Sequence, residues 1–111
     1  MKPLPITGND LTLAALHEVV FDRGPVELEA EARKRVRKAR TVVEKLLRGK
    51  RVAYGVNTGV GQLSDVRIRP GQIRQLQVNL VRSHSAGVGE PLAEAETRAL
   101  MLLRANSLAK G

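Results

Sequence analysis

Glu29-Ala30-Glu31-Ala32-Arg33-Lys34-Arg35-Val36-Arg37-Lys38-Ala39-Arg40-Thr41-Val42-Val43-Glu44-Lys45-Leu46-Leu47-Arg48 predicts one long helix. Ala32, Val36, Ala39, Val43, Leu46 and Leu47 recur at helical spacing and form a single apolar stripe. Glu29 and Glu31 stand in the first turn, and Lys45 and Arg48 stand in the last. Both placements suit the helix dipole, and Gly49 is a natural stop. The opposite face is strongly basic. Ten positive residues fall between Arg33 and Arg51, within 19 positions.

Three more helices flank this one. Residues 11–22 open with Leu11-Thr12-Leu13, where Thr12 is placed to accept amides of the first turn, and Gly24-Pro25 closes the segment. Val26-Glu27-Leu28 and Arg51-Val52-Ala53-Tyr54 read as short extended pieces. Residues 70–86 start at Pro70 and carry Ile73, Leu76, Leu80 and Val81 as the apolar face. Residues 92–109 place Ala95, Ala99, Leu102, Leu103 and Leu108 inward, behind Glu94 and Glu96. The fold class is therefore mainly α, with short strands and a Gly-rich loop at 55–65. The fourth helix is apolar over most of its girth at Ala99-Leu100-Met101-Leu102-Leu103, so it needs cover from other chains or further sequence.

Composition narrows the function. The chain has 111 residues and a net charge of +8, with 42% apolar and 27% charged residues, which is globular composition. It has no Cys, which removes disulfide scaffolds and Cys-based zinc sites. Two His residues without His-x-x-x-His spacing make no metal site. No apolar run reaches membrane-spanning length and the start has no apolar leader core, so a cytoplasmic address is expected. The basic stripe invites a nucleic-acid reading, but no aromatic residues interleave for base stacking and charge is expected on a solvated face. The expectation is no nucleic acid and no membrane as partners.

The chemistry concentrates in two places. Gly55-Val56-Asn57-Thr58-Gly59-Val60-Gly61 holds three glycines in seven residues and is a loop. It reads as a phosphate cradle, a surface turn, or a mobile active-site loop presenting Tyr54, the only tyrosine. The phosphate reading lacks a Gly-Lys-Ser/Thr ending and a third fingerprint glycine. The second place is His84, on a partly apolar helix face. Its position alone does not separate a structural histidine from a functional one. His17 has no polar company and is expected to face solvent.

Tyr54-Gly55-Val56-Asn57-Thr58-Gly59-Val60-Gly61 resembles the Tyr-Gly-(Ile/Val)-Asn-Thr-Gly-Phe-Gly motif of the aromatic amino-acid ammonia-lyases, with Val60 in place of the motif's Phe. The stretch from Leu76 to Leu92, which contains Arg82-Ser83-His84-Ser85-Ala86-Gly87, resembles a second block of that family. Arg104-Ala105-Asn106-Ser107-Leu108-Ala109-Lys110-Gly111 resembles a third. Within the family, Ser-His at the position of Ser83 and His84 is the pattern of the histidine ammonia-lyases.

The resemblance implies the N-terminal part of an enzyme that eliminates ammonia from L-histidine to give trans-urocanate. It implies Tyr54 as the catalytic tyrosine in proton transfer near the substrate's β-carbon. It also implies Gly61, Ser83 and His84 as substrate-binding positions, with Asn57 and Thr58 organising the loop. The family's cofactor is an electrophilic methylidene-imidazolone (MIO), formed by cyclisation of an Ala-Ser-Gly triad that does not occur in these 111 residues. The expectation is a single segment, residues 1–111, of a larger homotetrameric lyase, inactive alone. The alternatives from other classes are a basic helical nucleic-acid-binding module and a catalytically dead oligomerisation scaffold.

Overall fold

The computed structural model describes residues 1–111. Eight elements follow one another: β1 (Leu4–Ile6), α1 (Leu13–Phe21), β2 (Val26–Leu28), α2 (Ala30–Arg48), two single-turn 3₁₀ segments (Gly61–Leu63 and Pro70–Gln72), α3 (Ile73–His84) and α4 (Glu94–Leu108). The mainly α class holds, with four α-helices and two three-residue strands. The chain forms two compact units, residues 1–40 with 90–111, and residues 41–89.

The first unit is built around β1, α1, β2 and α4. Its two strands pair in parallel, with Leu4 opposite Val26, Pro5 opposite Glu27 and Ile6 opposite Leu28. The sequence pattern does not predict the strand at Leu4–Ile6, because prolines at 3 and 5 argue against a ladder. The geometry explains why it forms. Leu4 N–H donates to the Pro25 carbonyl at 2.8 Å, and the Ile6 carbonyl accepts from Glu29 N–H at 3.2 Å. The ladder thus uses the residues on either side of Pro5 and asks no amide proton of it.

The core of this unit is Ile6, Val19, Ala32, Leu102 and Ala109, with Leu4, Leu11, Leu16 and Leu28 packed against it. Thr12 Oγ1 accepts Ala15 N–H at 3.2 Å, which is the cap the sequence predicts for α1. The helix ends at Phe21, before Gly24, because Arg23 takes the left-handed conformation (φ 55°) and turns the chain first. Glu29 Oε2 accepts Ala32 N–H at 2.8 Å and so caps α2. Glu96 Oε2 accepts Ala93 N–H at 3.3 Å, closing the first turn of α4.

Two inward assignments on α4 are corrected. Leu103 and Leu108 are exposed, at 47% and 61%, alongside Leu100 and Met101. The core here consists of five buried residues and takes only one stripe of α4, through Leu102 and the following Ala109. Arg35 also departs from the solvated basic face. Its Nη2 donates to the Thr7 carbonyl at 2.6 Å and to the Ala109 carbonyl at 3.4 Å. The guanidinium thereby ties the N-terminal segment to the end of α4, a role its charge alone does not reveal.

The second unit carries the end of α2, the glycine loop and α3. Ile73, Leu76 and Leu80 are half-buried as the periodicity requires, but Val81 is exposed. Arg51–Tyr54 is not a strand. The Ala53 carbonyl accepts both Val56 and Asn57 N–H, at 3.1 and 3.2 Å, so the chain turns there. Helix α3 stops at His84, two residues before the expected end. No helix is long and apolar enough to cross a membrane.

Candidate active site

The loop after α2 is organised from inside by two polar side chains. Asn57 and Thr58 are 4% and 1% exposed and are the buried polar residues of the chain. Asn57 Oδ1 accepts Ala53 N–H at 2.8 Å, and its Nδ2 donates to the Arg51 carbonyl at 2.9 Å. Thr58 Oγ1 accepts Gly55 N–H at 3.1 Å and donates to the Gly59 carbonyl at 2.9 Å. These bonds replace the ladder that a strand would have supplied, which is why buried backbone is tolerated in an irregular segment. Ile68 N–H donates to the Asn57 carbonyl at 2.9 Å and Gly59 N–H to the Val66 carbonyl at 3.0 Å, closing the loop on the following segment.

Asn57→Ala removes two of these bonds and leaves buried backbone partners unsatisfied. The expected cost is about 1–3 kcal/mol. Hydrogen exchange of Ala53 and its neighbours, with a chemical denaturation curve, measures it; unchanged protection contradicts the role.

Two glycines answer to different constraints. A Cβ on Gly59 would stand 2.6 Å from both Leu63 Cβ and the Leu63 carbonyl oxygen, so close packing excludes any side chain there. Gly61 has φ 59°, and a Cβ there would meet nothing within 4 Å. The backbone conformation, with open space beside it, is what suits glycine at 61.

Tyr54 stands at the entrance of this loop, 67% exposed. Gly61 N–H donates to Tyr54 Oη at 3.2 Å. The phenolic oxygen therefore receives one donor while its own O–H stays free to point outward. The resemblance assigns Gly61 to the substrate, whereas the fold first joins it to Tyr54.

Ser83 and His84 lie in the last turn of α3. Ser83 Oγ donates to the Leu80 carbonyl at 2.9 Å. His84 Nδ1 lies 2.8 Å from that carbonyl and 3.0 Å from Ser83 Oγ. A carbonyl only accepts, so Nδ1 carries a proton, and in the neutral ring Nε2 is the acceptor left over. Both residues are exposed. The Tyr54–Gly61 pair and the Ser83–His84 pair are not hydrogen-bonded to each other. Gln77, which lies in the second family-like block but has no role assigned there, links their two elements: its Nε2 donates to the Gly55 carbonyl at 2.9 Å. No three of the His, Asp and Glu side chains cluster where they could hold a metal ion. His17 is exposed, and its ring lies against that of Phe21 at 4.7 Å between centroids.

The family model for aromatic amino acid lyases matches residues 11–111. The chain belongs to that family. Histidine ammonia-lyase of Koribacter versatilis is 57% identical to the lyase chain over all 111 residues, which make up 22% of that enzyme. Histidine ammonia-lyase of Geobacillus thermodenitrificans is 51% identical over 106 residues, covering 96% of the lyase chain and 21% of that enzyme. Among solved structures, tyrosine aminomutase from Streptomyces globisporus superposes with a TM-score of 0.91 at 39% identity, over 99% of the lyase chain and 21% of the aminomutase. The ergothioneine-degrading ergothionase from Treponema denticola gives a TM-score of 0.91 at 30% identity, over 98% of the lyase chain and 22% of that protein. The lyase chain thus spans about a fifth of the length of the relatives it matches.

Proposed function

We propose that this chain is the N-terminal part of a histidine ammonia-lyase, which eliminates ammonia from L-histidine to give trans-urocanate. The observation that carries the reading is that one compact unit holds both a tyrosine hydroxyl whose proton is free and an exposed imidazole with one ring nitrogen free for a ligand. The relatives of high identity that bear the name histidine ammonia-lyase support it.

Tyr54 Oη is the proton-transfer group at the substrate's β-carbon. Gly61 serves it twice. Its N–H steadies the phenolic oxygen, and the open space beside its Cα leaves room for a substrate backbone to approach. His84 presents Nε2 as an acceptor for the N–H of the substrate's ring, and Ser83 holds the His84 ring from the Nδ1 side.

The methylidene-imidazolone of the family supplies an electrophile to the reaction. No Ala-Ser-Gly triad occurs among these 111 residues, so they do not build that group, and what they provide is proton transfer and ring recognition. The complete enzyme is a homotetramer in this reading, as the exposed apolar residues of α4 suit. Residues 1–111 act as one segment of that enzyme and of its cytoplasmic, membrane-free chemistry.

The test is a urocanate assay on L-histidine. The complete lyase that carries this segment is expected to form urocanate and ammonia in equal amounts, and the 111-residue chain alone is expected to form none. Turnover of L-tyrosine or L-phenylalanine in preference to L-histidine would overturn the substrate. Turnover by the isolated chain would overturn the division of labour.

A further inference from the structure

We infer that Gln77 is a positioning residue for Tyr54, a latch that sets the proton-transfer group at a fixed distance from the ring-recognition group. The inference rests on the roles proposed above for Tyr54 and His84. The bonds of Asn57 and Thr58 secure the loop to itself, and those of Asn57 and Gly59 to residues 66–68 close its far side. The near side, at the peptide that follows Tyr54, has a different support. The Gly55 carbonyl accepts a 2.9 Å hydrogen bond from Gln77 Nε2, and this bond runs from the loop to the body of α3.

The position of Gln77 on α3 gives the bond its meaning. Gln77 and His84 are seven residues apart on one helix. Seven residues are nearly two turns, so both side chains leave the same face, about 10.5 Å apart along the axis. The helix is therefore a ruler. One mark holds the peptide next to Tyr54, and the other holds the imidazole. An α-helix is stiff over two turns, whereas a loop with three glycines is not. Without Gln77 the ruler has lost its first mark, and Tyr54 samples positions that His84 does not share.

The hydrogen bond is solvent-exposed, so its effect is modest and falls on alignment rather than on folding. In the complete lyase, Gln77→Met keeps the length of the side chain and loses the donor. It is expected to lower kcat roughly five- to tenfold, the size one such bond carries, with KM for L-histidine within about twofold because His84 is untouched. Gln77→Lys restores an N–H donor and is expected to recover most of kcat.

A second readout needs no turnover. In the complete lyase, hydrogen exchange at the amides of Gly55 to Gly59 reports on the anchoring of the loop. Gln77→Met is expected to speed that exchange several-fold, with exchange in the middle of α3 unchanged and the Lys variant restored. Faster loop exchange together with a kcat loss at constant KM establishes the latch. Unchanged loop exchange overturns it, as does unchanged kcat where Tyr54→Phe abolishes turnover, or a rise in KM that matches the fall in kcat. If Tyr54→Phe itself leaves kcat intact, the proposed function fails, and the claim that Gln77 positions a catalytic tyrosine falls with it.

Discussion

Tyr54→Phe in the complete lyase is expected to cut kcat for L-histidine roughly 10²- to 10⁴-fold, the range that one positioned acid–base group supplies. The substitution removes one oxygen. That oxygen accepts a single 3.2 Å hydrogen bond from Gly61 and lies on an exposed side chain, so the fold loses little. The ring remains, and substrate binding through His84 remains with it. KM is therefore expected to change little, and the loss to sit in kcat. Stopped-flow or steady-state urocanate formation measures the rate, and circular dichroism checks the fold. A Phe variant with more than about a tenth of normal turnover would remove Tyr54 from the proton path.

His84→Leu is expected to lower kcat/KM for L-histidine about 10- to 100-fold, the cost of leaving a polar group of the bound ring without its partner. Here the loss is expected in KM as well as kcat, because ring recognition acts in the ground state and the transition state alike. Stability should hold. His84 is exposed, and its fold-side contacts are two exposed ones from Nδ1, to the Leu80 carbonyl and to Ser83 Oγ, both within the last turn of α3. Leu is a good helix residue at the same place. Comparing kcat/KM with the denaturation midpoint separates the two roles. Equal losses in both would return His84 to structural duty, whereas a kinetic loss with a steady midpoint places it on the substrate. A gain in turnover of a substrate with an apolar ring would support the recognition role further.

The two substitutions differ in kind, and the structure gives the reason. In the proposed function Tyr54 acts through a hydroxyl whose proton is free, while His84 acts through Nε2 because Nδ1 faces the Leu80 carbonyl of its own helix. Neither fact is written in the identity of the residues. Tyrosine and histidine occur in cores and on surfaces throughout proteins, and only the direction of each hydrogen bond tells which atom remains for chemistry.

Helical periodicity and capping residues make α1 to α4 legible in the sequence. The stripe of Ala32, Val36, Ala39, Val43, Leu46 and Leu47 is half-buried or buried along its whole length. Thr12 caps where a threonine before an apolar run should. These features are local: a helix satisfies its own backbone, so the information that forms it lies within a few residues. The loop motif at Tyr54–Gly61 is legible for a related reason, since three closely spaced glycines leave no regular alternative.

The features that escape the sequence pattern are non-local. The Leu4–Ile6 strand exists because Val26–Leu28 stands beside it, a partner 22 residues away that two prolines in the local sequence argue against. Leu103, Leu108 and Val81 point outward because the core against them is shallow, although their spacing allows burial. Arg35 turns inward because two carbonyls, from Thr7 and Ala109, converge on it. The sequence by itself determined the four helices, the glycine loop and the family motifs, for which neighbouring residues suffice. Only the tertiary structure decided that Gly61 donates to Tyr54, that Leu80 fixes the tautomer of His84, and that Gln77 reaches the peptide beside Tyr54. The bonds to Tyr54 and from Gln77 join positions 7 and 22 residues apart, across a loop whose course no residue pattern specifies; the Leu80 bond stays within one helix turn, but which atom of the His84 ring it engages depends on a side-chain orientation that the sequence does not state.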